Sequence, residues 1–382
     1  MSDPLQALPA EPAAAMRSII KRIATGPELS KDISREEARL AMQFVLDRAV
    51  DPVQAGVFLI ALRMKRETDD ENLGVLEALL RATQTATAPV PEVVDLADPY
   101  DGFTRTLPAS PFLPAVLSAC GVPAVSHGVE RMGPKYGVTH RQVLAAAGLP
   151  VDLAPAQAAQ RVGDAAIGWA YVDQKAFNPK LHDLAELRAL IVKRPAISTA
   201  EGLLGPIRGR AKTHLVTGFV HKPYPRIYAL LARRAGFDSA LIVRGVEGGV
   251  IASLRQAGRA FHYRSEGKDI AGEEQPIDFS PAELGIDQPL LAPPIPGRAG
   301  QVDQAGGASV PELDTAAVAQ AAAQAGLAAL AGEGGPTRDS LVCGAALCLW
   351  HLQRHDSLQG AAAAVRRVLD SGQALQRIER AR

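Results

Sequence analysis

Cysteine is scarce. Cys120, Cys343 and Cys348 are the only three in 382 residues, an odd number without a metal-ligand spacing. No disulfide framework follows, so small buried core thiols and a reducing, cytoplasmic setting are expected. Aromatic residues amount to only 4 %, which leaves few stacking platforms for single-stranded nucleic acid. Net charge is missing as well, with 41 Lys+Arg against 41 Asp+Glu. That excludes a protein that coats nucleic acid by bulk electrostatics, but leaves room for a local basic groove. Long apolar runs are absent: the Ala-rich stretch 316–331 contains Gln and is too weakly hydrophobic to span a bilayer. The N-terminus is rich in Ala and Pro and lacks the basic region of a signal peptide, so no membrane partner is expected. No Ser sits in a G-x-S-x-G elbow and no Cys/His cluster has zinc spacing, so neither a serine hydrolase nor a zinc centre is indicated.

What is present is a globular composition, with 47 % apolar residues. Residues 1–14 read as a disordered lead. Residues 15–88 form a helical domain. In it Ser34 and Glu37 make a capping box, Asp51-Pro52 opens a helix and Thr68 caps another. Met42, Phe58 and Leu62 are either its core or an interface. No strand is expected between Ala15 and Thr87. Residues 89–382 alternate short apolar runs with helical stretches, the signature of a mostly parallel sheet with flanking helices. Expected strands lie at 93–96, 124–127, 167–171, 215–220 and 239–243. Residues 250–300 read as an irregular or hairpin insertion. The late helices of 311–382 are expected to pack in part on the helical domain.

Several stretches carry a likeness. Ser34-Arg35-Glu36-Glu37-Ala38 is followed by Gly56-Val57-Phe58-Leu59-Ile60-Ala61-Leu62-Arg63-Met64-Lys65-Arg66-Glu67-Thr68. Cys120 to Gly128, Leu203-Leu204-Gly205-Pro206, Phe279 to Gly285 and Gly335-Pro336-Thr337-Arg338-Asp339 come after it, in order. In these the chain resembles the anthranilate phosphoribosyltransferase family, which shares a fold with pyrimidine nucleoside phosphorylases. The resemblance implies an α/β protein with an N-terminal helical bundle, a phosphorylated sugar donor and a homodimer paired through the helical domain. It also shows where this sequence departs. The family's glycine-rich phosphate loop is replaced by Asp98-Pro99-Tyr100-Asp101-Gly102-Phe103-Thr104-Arg105-Thr106. One glycine survives, so a poor phosphate cradle is expected. The family's Asp-Glu pair, which holds Mg²⁺, falls on Gly248-Gly249-Val250-Ile251, so the usual metal site is expected to be missing. Asp98 and Asp101 are the carboxylates left for a cation, and both are also ordinary turn formers.

Basic residues are concentrated in one window. From Arg188 to Arg234 there are ten Lys and Arg and one acid, Glu201, a charge of +9 against −9 for the rest. The candidate anion ligands are Gly102, Arg105, Thr106, Arg131, Lys135, Gly137, Arg208, Arg210, Lys212, Lys222 and Arg244, because Arg and Lys at loop ends suit phosphate oxygens. Glu247 lies in the glycine-rich turn after Arg244, away from the family's metal positions. By the resemblance His127, Gly128, Arg188 and Gly205 fall near an acceptor substrate, with His127 the catalytic candidate. Two functions remain open: a divergent phosphoribosyl or glycosyl transferase with a basic phosphate cleft, set apart from the ordinary tryptophan-pathway enzyme, or a non-catalytic homodimer that binds nucleic acid in that cleft.

Overall fold

The computed structural model describes residues 9–26, 28–264, 273–297 and 313–382. The first eight residues of the expected lead, and parts of the 250–300 insertion and of the 311–382 segment, lie outside these. The chain forms two compact units: the residues up to Thr83 with Asn178–Leu204, and Gln84–Phe177 with Gly205–Arg382.

The first unit is helical. Helix α1 (Pro12–Ile23) begins inside the stretch expected to be a lead. The Glu11 carboxylate accepts from the amides of Ala13 and Ala14 at 2.9 and 2.6 Å, and Pro12 presets the first helical φ. Helix α2 (Arg35–Leu46) starts at the Ser34–Glu37 capping box, α3 (Pro52–Lys65) at Asp51, and α4 (Asp69–Ala82) at a Thr68–Glu71 box. Met42, Phe58 and Leu62 are fully buried within the chain, so they are core. Helices α2 and α4 cross at Gly74, where a Cβ would stand 2.3 Å from the Arg35 carbonyl. The boundary expected at residue 88 misses the returning segment. Arg63 holds it by donating to the Pro195 carbonyl and the Thr199 hydroxyl (3.2 and 2.8 Å), and Asn178 by donating to the Leu79 carbonyl (3.1 Å).

The second unit is built on two parallel-paired short strands, β1 (Ala86–Thr87) and β5 (Ile207–Arg208), and a seven-stranded sheet. Strand β1 falls just where the sequence reading expects only helix. The sheet contains β2 (Glu92–Ala97), β3 (Ala124–Gly128), β4 (Trp169–Asp173), β6 (Lys212–Phe219), β7 (Ser239–Arg244), β8 (Gly258–Arg264) and β9 (Gln275–Phe279) in the order β4-β3-β2-β6-β7-β8-β9. The first five of that order are mutually parallel, and β8 and β9 add antiparallel at the edge. The insertion is thus partly a hairpin that extends the sheet.

Helices α5 (Leu113–Ala119), α6 (His140–Ala146), α7 (Pro155–Gly163) and α8 (Tyr224–Arg234) connect the strands. The late helices α9 (Thr315–Leu330), α10 (Pro336–His351), α11 (Leu358–Asp370) and α12 (Gln373–Ala381) pack inside this unit, α9 on α6 and both α10 and α12 on α5. They bury the sheet face that carries Val94, Leu96, Val216 and Leu241. Cys343 and Cys348 are buried in α10 and burial pushes both thiols up to about 12, while Cys120 is pushed up to about 11. Among the described residues no helix is long and apolar enough to cross a membrane.

Candidate functional site

Strand β2 is where the strand order reverses, with β3 and β4 on one side and β6 and β7 on the other. Loops leaving the carboxyl ends of such strands border the crevice in which open parallel sheets hold ligands. The loop after β2, from Asp98 to Thr106, occupies that place. It is pinned to the segment after β3: Phe103 and Val138 exchange amide–carbonyl bonds at 2.9 and 2.8 Å, and the Gly137 amide donates to the Asp101 carbonyl at 2.8 Å. A Cβ on Gly102 would come within 2.6 Å of the Gly137 backbone, and one on Gly137 within 2.5 Å of Phe103. These two glycines permit a close backbone crossing. Lys135 ties the crossing together, donating to the Gly102 carbonyl at 2.7 Å and standing 3.3 Å from the Asp101 carboxylate.

Beyond the crossing, the loop forms a cradle without glycine. The amides of Thr104, Arg105 and Thr106 and the hydroxyls of both threonines converge on one carboxylate, that of Glu247. Oε2 accepts from the Thr104 amide and hydroxyl (2.9 and 3.2 Å). Oε1 accepts from the Arg105 amide, the Thr106 amide and the Thr106 hydroxyl (3.0 Å each). Successive backbone amides that point into one concavity make an anion site. Three consecutive amides thus form a concavity where the family's glycines are missing, and the chain's own Glu247 carboxylate fills it. Arg105 itself projects into solvent beside it.

His127, the catalytic candidate, is buried at the end of β3 with both ring nitrogens engaged. Nε2 lies 2.8 Å from Asp95 Oδ1 and Nδ1 lies 2.5 Å from the Tyr100 hydroxyl. One tautomer satisfies both: Tyr100 donates to Nδ1, and Nε2–H donates to Asp95. The histidine locks the start of the loop to the sheet, and neither nitrogen is open for proton transfer. Gly128 follows it, close to the Tyr171 hydroxyl.

A cation finds little to hold here. Asp98 Oδ2 accepts from Ser110 and lies 2.6 Å from His140 Nε2, and its Oδ1 accepts from the Val250 amide at 2.7 Å. Burial opposes the charge of Asp98, but the His140 contact and the other donors prevail and hold its carboxyl below the usual range. Val250 and Ile251, at the positions the resemblance assigns to the metal pair, line a small apolar pocket with Leu107, Pro108, Ala109 and Pro293. Asp101 faces Lys135. Among the described residues no group of three or more His, Cys, Asp or Glu could hold a metal ion. These residues do not fit a Mg²⁺ clamp.

The basic window does not assemble into one groove. Arg188 belongs to the helical unit, where it is buried in a bidentate pair with Glu201 at 2.6 and 2.7 Å. Arg208 donates to the Ala235 carbonyl at 2.9 Å and stacks on Phe237 at 4.4 Å, and burial lowers its pKa. Its guanidinium also fills the space beside Gly205, which has a positive φ of 52°. Arg210 and Lys212 are exposed at the amino edge of the sheet, where Lys212 opens β6 opposite Glu92. Lys222 and Arg244 are exposed at the other, carboxyl edge. Arg131 covers the Tyr136 ring at 4.9 Å. The fold thus keeps the loop, Arg105, Lys135, Lys222 and Arg244 at the carboxyl edge and places Arg188, Arg210 and Lys212 away from it. The sequence reading passed over Glu247, the partners Asp95 and Tyr100, and the Asp98–His140–Ser110 cluster. An acid inside a glycine-rich turn after a strand was the available signal for Glu247.

Comparison with known proteins gives these features a context. Residues 17–83 match the model of the glycosyl transferase family, helical bundle domain. An anthranilate phosphoribosyltransferase of Rhodopseudomonas palustris is 26 % identical over 364 residues, 95 % of this chain and 96 % of its own. That of Bradyrhizobium diazoefficiens is 30 % identical over 235 residues, 61 % of this chain and 66 % of its own. The Saccharomyces cerevisiae anthranilate phosphoribosyltransferase, solved with PRPP and Mg, superposes with a TM-score of 0.74 at 16 % identity, covering 96 % of both chains. With the helical bundle, the parallel sheet and the loop at its carboxyl edge in their expected order, the chain belongs to the anthranilate phosphoribosyltransferase-like family.

Proposed function

We propose that this protein is a divergent glycosyl or phosphoribosyl transferase that grips a phosphorylated sugar through the Thr104–Thr106 cradle, without a divalent-metal clamp. Anthranilate transfer of the ordinary tryptophan-pathway kind is not its reaction. The observation that carries the reading is the convergence of three backbone amides and two hydroxyls on a single carboxylate at the carboxyl edge of the sheet. Those donors suit phosphoryl oxygens equally well, and they lie on the crevice where this fold class takes its ligands. Arg105 and Arg244, exposed on the same edge, supply positive charge that in the family's chemistry comes partly from metal.

Transfer from a sugar donor passes through a cationic sugar and a departing phosphate. Positioned donors and cations stabilise the charge on the leaving group, and no covalent attacker is required. Within this chain Lys135 and the His127–Asp95–Tyr100 chain are positioning residues: they fix both ends of the loop that carries the donors. Calorimetric titration with phosphoribosyl diphosphate tests the reading. Heat of binding that is unchanged when Mg²⁺ is replaced by a chelator is the expected result. No heat at millimolar donor, or heat only with Mg²⁺, overturns it.

A further inference from the structure

We infer that Glu247 is a built-in competitor for the phosphoryl group: the cradle is a latent anion site that the chain's own carboxylate closes. The inference rests on the reading of the cradle as a phosphoryl site and adds how that site is regulated. Glu247 uses both carboxylate oxygens and takes all five donors of Thr104–Thr106. It does so from a residue 141 to 143 positions away in sequence. Its backbone has a φ of 54° and a ψ of 16°, a left-handed conformation that non-glycine residues adopt only when the surroundings impose it.

The turn that carries it is built to present the side chain. The Val246 amide donates to the Ile251 carbonyl at 2.9 Å, and Gly245 bridges to Ala252. Gly248, with φ 86°, and Gly249 follow directly. A Cβ at Gly249 would meet Phe103 at 2.8 Å, so turn and loop are in contact. A glycine-flanked turn can also swing its side chain out at small conformational cost. The tethered carboxylate competes at high effective concentration. A bare phosphate or diphosphate ion therefore displaces it poorly, whereas a sugar donor with further contacts on the same edge displaces it more readily. With Glu247 in place, the three amides and both hydroxyls are all engaged.

The probe is inorganic diphosphate, titrated calorimetrically into the full chain. Glu247→Gly, which also relieves the positive φ, is expected to bind it at least about tenfold more tightly than the wild type. Adding Thr106→Val to that variant is expected to remove much of the gain, which locates the ion at the cradle. Glu247→Gln, which keeps the bulk but loses one acceptor oxygen, serves if the glycine variant does not fold, and is expected to show a smaller gain. Equal affinity in wild type and variants overturns the competitor role while leaving the phosphoryl site standing. No diphosphate binding in folded variants overturns both. A gain that survives Thr106→Val undiminished places the ion elsewhere and overturns the inference.

Discussion

Asp98 shows how a single residue can be chemically attractive and structurally committed. It is buried, and its two oxygens serve Ser110, His140 and the Val250 amide. Removing it leaves those groups unsatisfied in a low-dielectric interior, where breaking a buried pair costs about 3–5 kcal/mol. Asp98→Ala is expected to lower the unfolding free energy by about 3 kcal/mol in urea denaturation. A loss well under 1 kcal/mol would show that the cluster is not structural. Residue identity alone did not reveal this. Asp98-Pro99 reads as a turn and His140 drew no reading at all, and only the fold brings them to 2.6 Å. His127 was legible as a strand-end histidine, but its locked state was not, because Asp95 and Tyr100 belong to another strand and loop. Glu247 was visible as an acid in a glycine turn. Its partners, more than a hundred residues away, were not.

At the scale of elements, local chemistry was the most readable layer. The Ser34–Glu37 capping box and the Thr68 cap form as the sequence suggests, and Glu71 completes a second box, because each is closed within four residues. Where an element depends on a distant neighbour, the sequence misleads. The two-residue β1 exists only because β5 pairs with it in parallel, and Asn178–Leu204 joins the helical unit through contacts with α3, α4 and the turn after α2. Gly74 makes the same point. In isolation, Gly→Ala inside α4 would favour the helix by about 1 kcal/mol. Here the added methyl would stand 2.3 Å from the Arg35 carbonyl and 2.8 Å from the Ala38 Cβ. Forcing α2 and α4 apart costs about 1–3 kcal/mol, so Gly74→Ala is expected to lower the thermal midpoint. A raised midpoint would mean that the crossing is looser than described.

At the scale of the whole molecule, the even balance of charge hides uneven placement. The basic window predicted a groove. The fold instead divides it between two units and two edges of one sheet, because Arg210 and Lys212 stand at the start of β6 and Lys222 follows its end, a full strand length away. The α/β unit also carries a buried histidine chain at the amino edge: His214 Nδ1 lies 2.8 Å from Ser239 Oγ, which lies 2.8 Å from His351 Nε2. Burial lowers His214 to about 4 and holds His351 well below its ordinary value. An unfolded histidine titrates near 6.5, so below that pH the unfolded chain takes up protons that the folded one refuses. Stability is therefore full above about pH 6.5 and falls as pH drops toward 4, by about 3 kcal/mol from His214 alone. Urea midpoints at pH 7.5 and 5 are expected to differ accordingly, and a flat profile would remove the histidine chain as the cause.

The most direct observation is a crystal structure of the protein soaked with phosphoribosyl diphosphate. A phosphoryl group on the amides of Thr104, Arg105 and Thr106, with the Glu247 side chain turned out of the cradle, is the predicted result. Phosphate seated instead on Arg208, Arg210 and Lys212, or held by a metal ion, with Glu247 still in place, would contradict it.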